Sequence, residues 1–353
     1  MKCRPGMAAV LAMVTCLDQG HAWQAQAAAG GYQGADKMLI PSRGWPCGMP
    51  DGIPVPEHGV PVFEATMKLD QAYDVGQTQY GHREVFVVQG GAVTGANING
   101  TVMTGGLDFQ LSSSNGWMEV EEILVLRTSE GAYIYLRCPG TAVDRSDVRI
   151  VPDFEAPNSS TCNWLNTGKY VGRRVVDTAA KTVKISVFNV ANIQTPAGSA
   201  EAVRVTKPEG VRDQPWDFRK AAPGERRGDQ LITENVTLAA SQRVGAAKDR
   251  NRNIIPITGG TLTGKLNGKV LAGGADYQNL ANPMTIDARY LWQTSEGDVI
   301  IVRNAGPINS LVPIFEVRVD SKYAWLNDGK YLSSSPRVGA GGVELKFYES
   351  QRD

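Results

Sequence analysis

Gly90-Gly91-Ala92-Val93-Thr94-Gly95 returns as Gly259-Gly260-Thr261-Leu262-Thr263-Gly264, 169 residues further on. Around this phrase the whole pattern of the chain repeats. Asn99-Gly100 and Gly105-Gly106-Leu107-Asp108-Phe109-Gln110 return at an offset of 168 as Asn267-Gly268 and Gly273-Gly274-Ala275-Asp276-Tyr277-Gln278. Thr128-Ser129-Glu130-Gly131 and Arg137 return at 166 as Thr294-Ser295-Glu296-Gly297 and Arg303. Trp164-Leu165-Asn166-Thr167-Gly168-Lys169-Tyr170 returns at 161 as Trp325-Leu326-Asn327-Asp328-Gly329-Lys330-Tyr331. The order is kept and the offset only shrinks, as small loop deletions in the second copy produce. Self-similarity at one long period means a duplicated structural unit.

Inside each copy, β-branched and aromatic residues alternate with polar ones between Gly-rich turns, which predicts short strands. In the first copy these are Val85–Val88, Val102–Leu111, Trp117–Thr128, Ala132–Arg137 and Val183–Val190. Ile254–Thr258, Lys269–Tyr277, Ile286–Gln293, Val299–Arg303 and Val343–Tyr348 answer them in the second. No amphipathic helix longer than three turns is legible. Many short strands joined by turns favour closure, because closure leaves no unpaired edge. The expected fold class is all-β: two tandem, small antiparallel β-barrels of the calycin-like kind. The expected organisation is a signal peptide over 1–27, a Pro-rich strap over 28–61, repeat 1 over 62–191, a linker over 192–229 and repeat 2 over 230–353.

The leader is read from Lys2 and Arg4, an apolar run from Met7 to Leu17, and small residues ending at Ala25-Gln26-Ala27, with Gly20-His21-Ala22 as a second cleavage choice. The run is too short to span a bilayer, so the expected location is secreted or the secretory-pathway lumen. Cleavage leaves Cys47, Cys138 and Cys162. One disulfide and one thiol is the arithmetic of an oxidising compartment; Cys138–Cys162 lies within one repeat, although Cys47 can replace either partner. Asn99, Asn158 and Asn235 begin glycosylation sequons. Lys plus Arg and Asp plus Glu balance at 36 each, leaving no cationic surplus for nucleic acid.

The run Ile254-Ile255-Pro256-Ile257-Thr258-Gly259-Gly260, with Asn267-Gly268-Lys269-Val270, Gly273–Gln278, Asp287-Ala288-Arg289-Tyr290 and Ser295-Glu296-Gly297, resembles the β-barrel family called domain of unknown function 3237. The first copy departs from the pattern: Leu107 replaces the small residue before the aspartate, and Glu121 stands where Asp287 stands. A doubled, exported barrel of this kind resembles the fungal hetero-Diels–Alderases that join a tropolone-derived quinone methide to a humulene-type alkene. The resemblance implies an apolar or aromatic small-molecule substrate, no cofactor and no metal.

His58 and His82 are the only histidines after the leader, and neither has a counterpart in the second copy, which leaves little material for a catalytic triad or a multi-histidine metal centre. The Gly-Gly-x-x-Thr-Gly element lacks the Lys-Ser/Thr ending and the helix of a phosphate loop. Strand alternation instead singles out polar residues. Asp276 and Gln278 share a face opposite Tyr277, Asp287 shares one with Arg289, and Arg303 lies with Val299 and Ile301. If these faces point inward, each barrel encloses an Asp, a Gln and an Arg, with Asp108, Gln110, Glu121 and Arg137 as the first-copy set. Arg303, Gln278, Asp276 and Asp287 are thus the candidate catalytic residues, and Tyr290, Trp292 and Trp325 the candidate substrate walls. The competing readings are a buried Asp–Arg clamp that only holds the fold, and a secreted small-molecule or glycan binder without catalysis. The leader predicts a secreted chain starting near Ala28, a start that intact-mass measurement of the exported protein checks directly.

Overall fold

A computed structural model describes residues 54–352 except 71, 115, 117, 143–147, 178, 194–204, 207–214, 216–217 and 340–341, with the backbone alone of 36–37 and 205–206. The expected leader, Cys47 and most of the strap lie outside the described residues. β1 (Asp36–Lys37) pairs antiparallel with β13 (Val205–Thr206).

The first barrel carries β2 (Val60–Leu69), β3 (Tyr73–Thr78), β4 (Gly81–Thr94), β5 (Gly100–Val102), β6 (Leu107–Ser112), β7 (Met118–Thr128), β8 (Tyr133–Ala142), β9 (Val148–Ile150), β10 (Asp153–Glu155), β11 (Tyr170–Asp177) and β12 (Thr182–Asn189). Eight of these close a ring in the order β2, β4, β5, β7, β8, β9, β11, β12 and back to β2. The second carries β14 (Arg226–Leu238), β15 (Gln242–Ala247), β16 (Arg250–Gly264), β17 (Gly268–Val270), β18 (Ala275–Asn279), β19 (Thr285–Thr294), β20 (Val299–Pro307), β21 (Val312–Glu316), β22 (Tyr331–Ser333), β23 (Arg337–Gly339) and β24 (Gly342–Gln351). Its ring is incomplete: β21 and β22 form no ladder and meet through one backbone bond, Ser333 N–H to Leu311 O at 3.0 Å.

The duplication extends to individual bonds. Tyr170 Oη donates to Trp164 O at 3.2 Å, as Tyr331 Oη does to Trp325 O at 2.8 Å. The Asn166 side chain brackets the backbone of Ala156, and Asn327 brackets Val317 in the same way. Two expected strands are each split in two. Lys269–Tyr277 breaks at Gly273 and Gly274, which adopt φ of +120° and +75°, and Val102–Leu111 breaks at Gly105 with φ +93°. A Cβ on Gly274 would stand 2.0 Å from Arg289 O. At the same residue, Gly274 N–H donates 2.7 Å to Gly105 O of the other barrel. The loop is shaped for contact between barrels, which alternation within one copy cannot reveal.

Three cores result. One fills barrel 1 (Leu124, Leu126, Phe154, Ile185), one fills barrel 2 (Tyr290, Trp292, Phe315, Phe347), and a third lies between them, with Val85, Phe109 and Tyr135 against Ile254, Tyr277 and Leu291. β7 is buried over nine consecutive residues because its two faces serve two cores: Leu124 and Leu126 point into the barrel, Ile123 and Val125 into the seam.

Ion pairs fasten the seam at equivalent places. Arg83 Nε and Nη2 hold Glu316 at 3.0 and 3.1 Å, and Arg252 Nε and Nη2 hold Glu155 at 2.6 and 2.7 Å. Arg252 follows Arg83 by 169 residues and Glu316 follows Glu155 by 161, the offsets of the repeat itself. The two clamps are one contact made twice, as across a two-fold axis. Because the pairs are buried, removing one partner strands a charge, at a cost of about 3–5 kcal/mol. Arg252→Met should therefore lower the denaturant midpoint by that equivalent and separate the unfolding of the two barrels, which fluorescence and circular dichroism read together.

Candidate functional site

The repeated Asp–Gln pair points into each barrel, and the two barrels treat it differently. Asp276 lies opposite Ala288, a member of the second core, which fixes its side chain inward. Gln110 Nε2 donates to Asp108 Oδ2 at 3.2 Å, and Gln278 Nε2 to Asp276 Oδ2 at 2.6 Å. In barrel 1 the fully buried Asp108 is held by Arg174 Nη2 at 2.5 Å, and Arg174 Nε also holds Glu122 at 2.8 Å. Two carboxyl groups thus share one guanidinium in a dry interior. Burial and the neighbouring Asp108 push Glu122 up against the pull of Arg174, so the triad retains a proton.

Barrel 2 has no such lock. At the repeat offsets, Arg174 corresponds to the exposed Ser335 and Glu122 to Ala288. β22 ends at Ser333 and Pro336 follows, so no strand carries a cation into that position. Asp276 keeps some contact with solvent, while its Oδ1, like Oδ1 of Asp108 in barrel 1, is buried without a hydrogen-bond partner. Burial, joined by the field of Asp287, pushes its carboxyl to about 7 despite Gln278 and Arg252. A carboxyl so placed is divided between acid and base forms near neutrality, the condition for donating or accepting a proton there. Gln278 Oε1 accepts from Asn253 Nδ2 at 2.8 Å, and Asn253 Oδ1 accepts from Ser241 Oγ at the surface.

A second buried carboxyl, Glu234, carries no signal in the repeat, because Ala65 occupies its place in the first copy. Trp292 Nε1 and Tyr290 Oη donate to it at 2.6 and 2.8 Å. Leu124 and Leu126 stand where Tyr290 and Trp292 do, so the triad of one copy answers an apolar cluster in the other. Burial pushes Glu234 to about 7, and the two donors offset only part of that.

The expected four-residue catalytic group is separated by the structure. Asp276 and Gln278 face the interior of barrel 2. Asp287 and Arg303 face the seam, joined by bonds of 2.8 and 2.9 Å, with Arg289 bridging Asp287 to Glu121 of the other barrel at 3.2 and 3.1 Å. Glu121 pairs with Arg137 as Asp287 pairs with Arg303. Burial opposes ionisation of Glu121, but Arg137, Arg289 and Arg303 outweigh it and hold the group at about 2; Asp287 is likewise held low. These groups are paired as a buried carboxylate–arginine clamp would pair them. The expectation that each barrel encloses an Asp, a Gln and an Arg fails for Arg137 and Arg303, which sit on the outer face.

Tyr290 and Trp292 are 1% and 0% exposed, packed with Phe315 and Phe347 rather than lining a substrate wall. Trp325 is half-buried, with Lys265 Nζ 4.4 Å above its ring. The expected Cys138–Cys162 disulfide is not formed: both are buried thiols, Cys162 Sγ lying 3.0 Å from Ser160 Oγ. Asn99, Asn158 and Asn235 are exposed, and Asn158 Nδ2 donates to Lys248 O across the seam. Among the described residues no helix is long and apolar enough to cross a membrane, and no His/Cys/Asp/Glu group is arranged to hold a metal.

Two closely docked β-barrels with repeated internal Asp–Gln pairs define a tandem-barrel protein. The family model described as protein of unknown function DUF3237 matches residues 58–190 and 229–311, and the chain belongs to that family, with the domain in tandem. A UPF0311 protein of Bradyrhizobium diazoefficiens is 34% identical over 110 residues, covering 24% of this chain and 72% of the relative. One of Clostridium acetobutylicum is 32% identical over 115 residues, covering 32% and 68%. Among solved structures, a β-barrel-like protein of Acinetobacter baumannii matches 37% of this chain and 94% of its own, with 23% identity and a TM-score of 0.34. A structure described as an enzyme from Penicillium herquei matches 36% and 91%, with 21% identity and a TM-score of 0.30.

Glu234 gives this interior a measurable pH signature. Its folded value, about 7, lies above the ordinary 4.5. The protonated form is therefore favoured by folding, and its contribution is complete below about 4.5 and lost as pH rises through 7. Glu234→Gln keeps an acceptor for Trp292 and a donor for Tyr290. It should leave stability at pH 4 nearly unchanged and raise it at pH 8, by an amount on the order of 3 kcal/mol. Urea midpoints at the two pH values check this.

Proposed function

We propose that the protein is a cofactor-independent small-molecule cyclase of the secretory pathway, a hetero-Diels–Alderase that joins a tropolone quinone methide to a humulene-type alkene. The observation that carries the reading is the difference between the barrels at Asp108 and Asp276. Asp108 is held by a buried arginine, Arg174; Asp276 has the Gln278 amide on Oδ2 in place of a cation, keeps some contact with solvent and has its carboxyl pushed to about 7. The particular substrates come from the family resemblance, and the acid from the geometry.

The chemistry asks little of the chain. One C–C and one C–O bond form, no group leaves, and nothing is oxidised or reduced. Holding two reactants in reacting geometry supplies about 7–11 kcal/mol of the barrier. As the bonds form, electron density shifts onto the quinone-methide oxygen, and a hydrogen bond from protonated Asp276 strengthens with it. A bond stronger in the transition state than in the ground state raises kcat rather than affinity.

The test supplies a quinone methide generated in situ and a humulene-type alkene. The wild type should accelerate adduct formation, with kcat falling as pH rises through about 7 while Asp276 loses its proton. Asp276→Asn should lower kcat roughly ten- to a thousandfold with KM changed less. A chain that binds and protects the quinone methide without forming adduct is a carrier, and the cyclase reading falls.

A further inference from the structure

The hydrogen bonds behind Asp276 have a direction. Ser241 Oγ donates to Asn253 Oδ1, Asn253 Nδ2 to Gln278 Oε1 at 2.8 Å, and Gln278 Nε2 to Asp276 Oδ2 at 2.6 Å. An amide offers its oxygen on one side and its NH2 on the other, so each link sets the orientation of the next. Asn253 and Gln278 face one another directly across the β16–β18 ladder, and both are nine-tenths buried. With Oδ2 committed as an acceptor, the remaining oxygen, Oδ1, is the buried one without a partner.

We propose that Asn253 is a positioning residue: through Gln278 it holds Asp276 so that Oδ2 accepts and Oδ1 is the atom that carries the proton toward a bound carbonyl. This rests on the reading of Asp276 as the acid and assigns the reacting oxygen. Barrel 1 keeps the Asp–Gln bond but not the chain. At the same offset Glu84 stands opposite Gln110, and Ala72 stands where Ser241 does. The chain and the unlocked aspartate therefore occur in one barrel and are missing together from the other. A hydrogen bond used only for packing gives no reason for that pairing.

The groups facing Asp276 fix the sign of the test. Asp287 from β19 raises its proton affinity, while Arg252 from β16 and the Gln278 donor lower it, and Tyr290 lies within reach of its field. If Asn253 keeps the Gln278 NH2 turned toward Asp276, Asn253→Leu frees that amide and withdraws the donor from the carboxylate. Asp276 should then bind its proton about tenfold more tightly, a rise of about one pH unit. Ser241→Ala, an exposed change, should give a smaller rise of the same sign.

The measurement is a carboxyl-carbon NMR titration of the full chain labelled at aspartate, with the Asp276 resonance assigned by its loss in Asp276→Asn. An upward shift in Asn253→Leu and in Ser241→Ala supports the proposal. A downward shift overturns it, because it means that the bonds run the other way and the proton sits on Oδ2. An unchanged titration in folded protein also overturns it and leaves Asn253 a packing residue. Should Asn253→Leu fail to fold, the direction of the shift in Ser241→Ala decides between the same outcomes. No substrate enters the titration, so failure of the cyclase reading and failure of this one are separately visible.

Discussion

Everything else in the molecule is built around one contact made twice: an arginine of one barrel holding a glutamate of the other, Arg83 with Glu316 and Arg252 with Glu155. A buried ion pair is weak evidence for stability, because an apolar pair of equal volume often does as well. What it supplies is register. Among the described residues, seventeen buried apolar side chains meet between the barrels, and an apolar face alone tolerates sliding. Two separated clamps of fixed polarity leave one arrangement in which both arginines meet their glutamates. A further buried pair, Arg289 with Glu121, breaks the symmetry, since Ile123 stands at the equivalent of Arg289 and cannot return the bond. A symmetric contact has become one that tells its two halves apart.

The clamps permit a division of labour between the interiors. Barrel 1 closes its ring and locks its aspartate with Arg174. Barrel 2 leaves β21 and β22 joined by a single backbone bond and carries two carboxyl groups, Asp276 and Glu234, each pushed toward neutrality. Each such shift of two to three pH units represents on the order of 3–4 kcal/mol disfavouring the ionised form. Barrel 1 bears one such group as well, Glu122, pushed up by burial and by Asp108, so the cost falls on both interiors.

How much of this was legible follows from what one copy can say about itself. The repeat revealed the duplication, and alternation placed Asp276 with Gln278 and Asp287 with Arg289 on their proper faces. It could not say which face was inside. That judgement assumes one core per barrel, whereas β7 and β19 serve two, so charges on the outer face are as buried as those within. Asp287 and Arg303 were therefore assigned to an interior they do not enter. Glu234, Asn253 and Arg174 were missed for a related reason. Each is present in one copy only, and a search by repetition passes over what differs. Comparing the copies for differences, Ala65 against Glu234, Glu84 against Asn253 and Arg174 against Ser335, would have raised all three.

Difference between copies is also the stronger guide to chemistry here. Residues kept in both, such as the Tyr170 and Tyr331 hydroxyl bonds or the Asn166 and Asn327 brackets, satisfy backbone groups that any such barrel must satisfy. They describe the fold. The aspartates differ between the copies: Asp108 is held by Arg174, while Asp276 has no arginine at that place and is supported from behind by the Asn253–Gln278 amide chain. On the proposed reading, this difference is what frees Asp276 to meet a bound carbonyl.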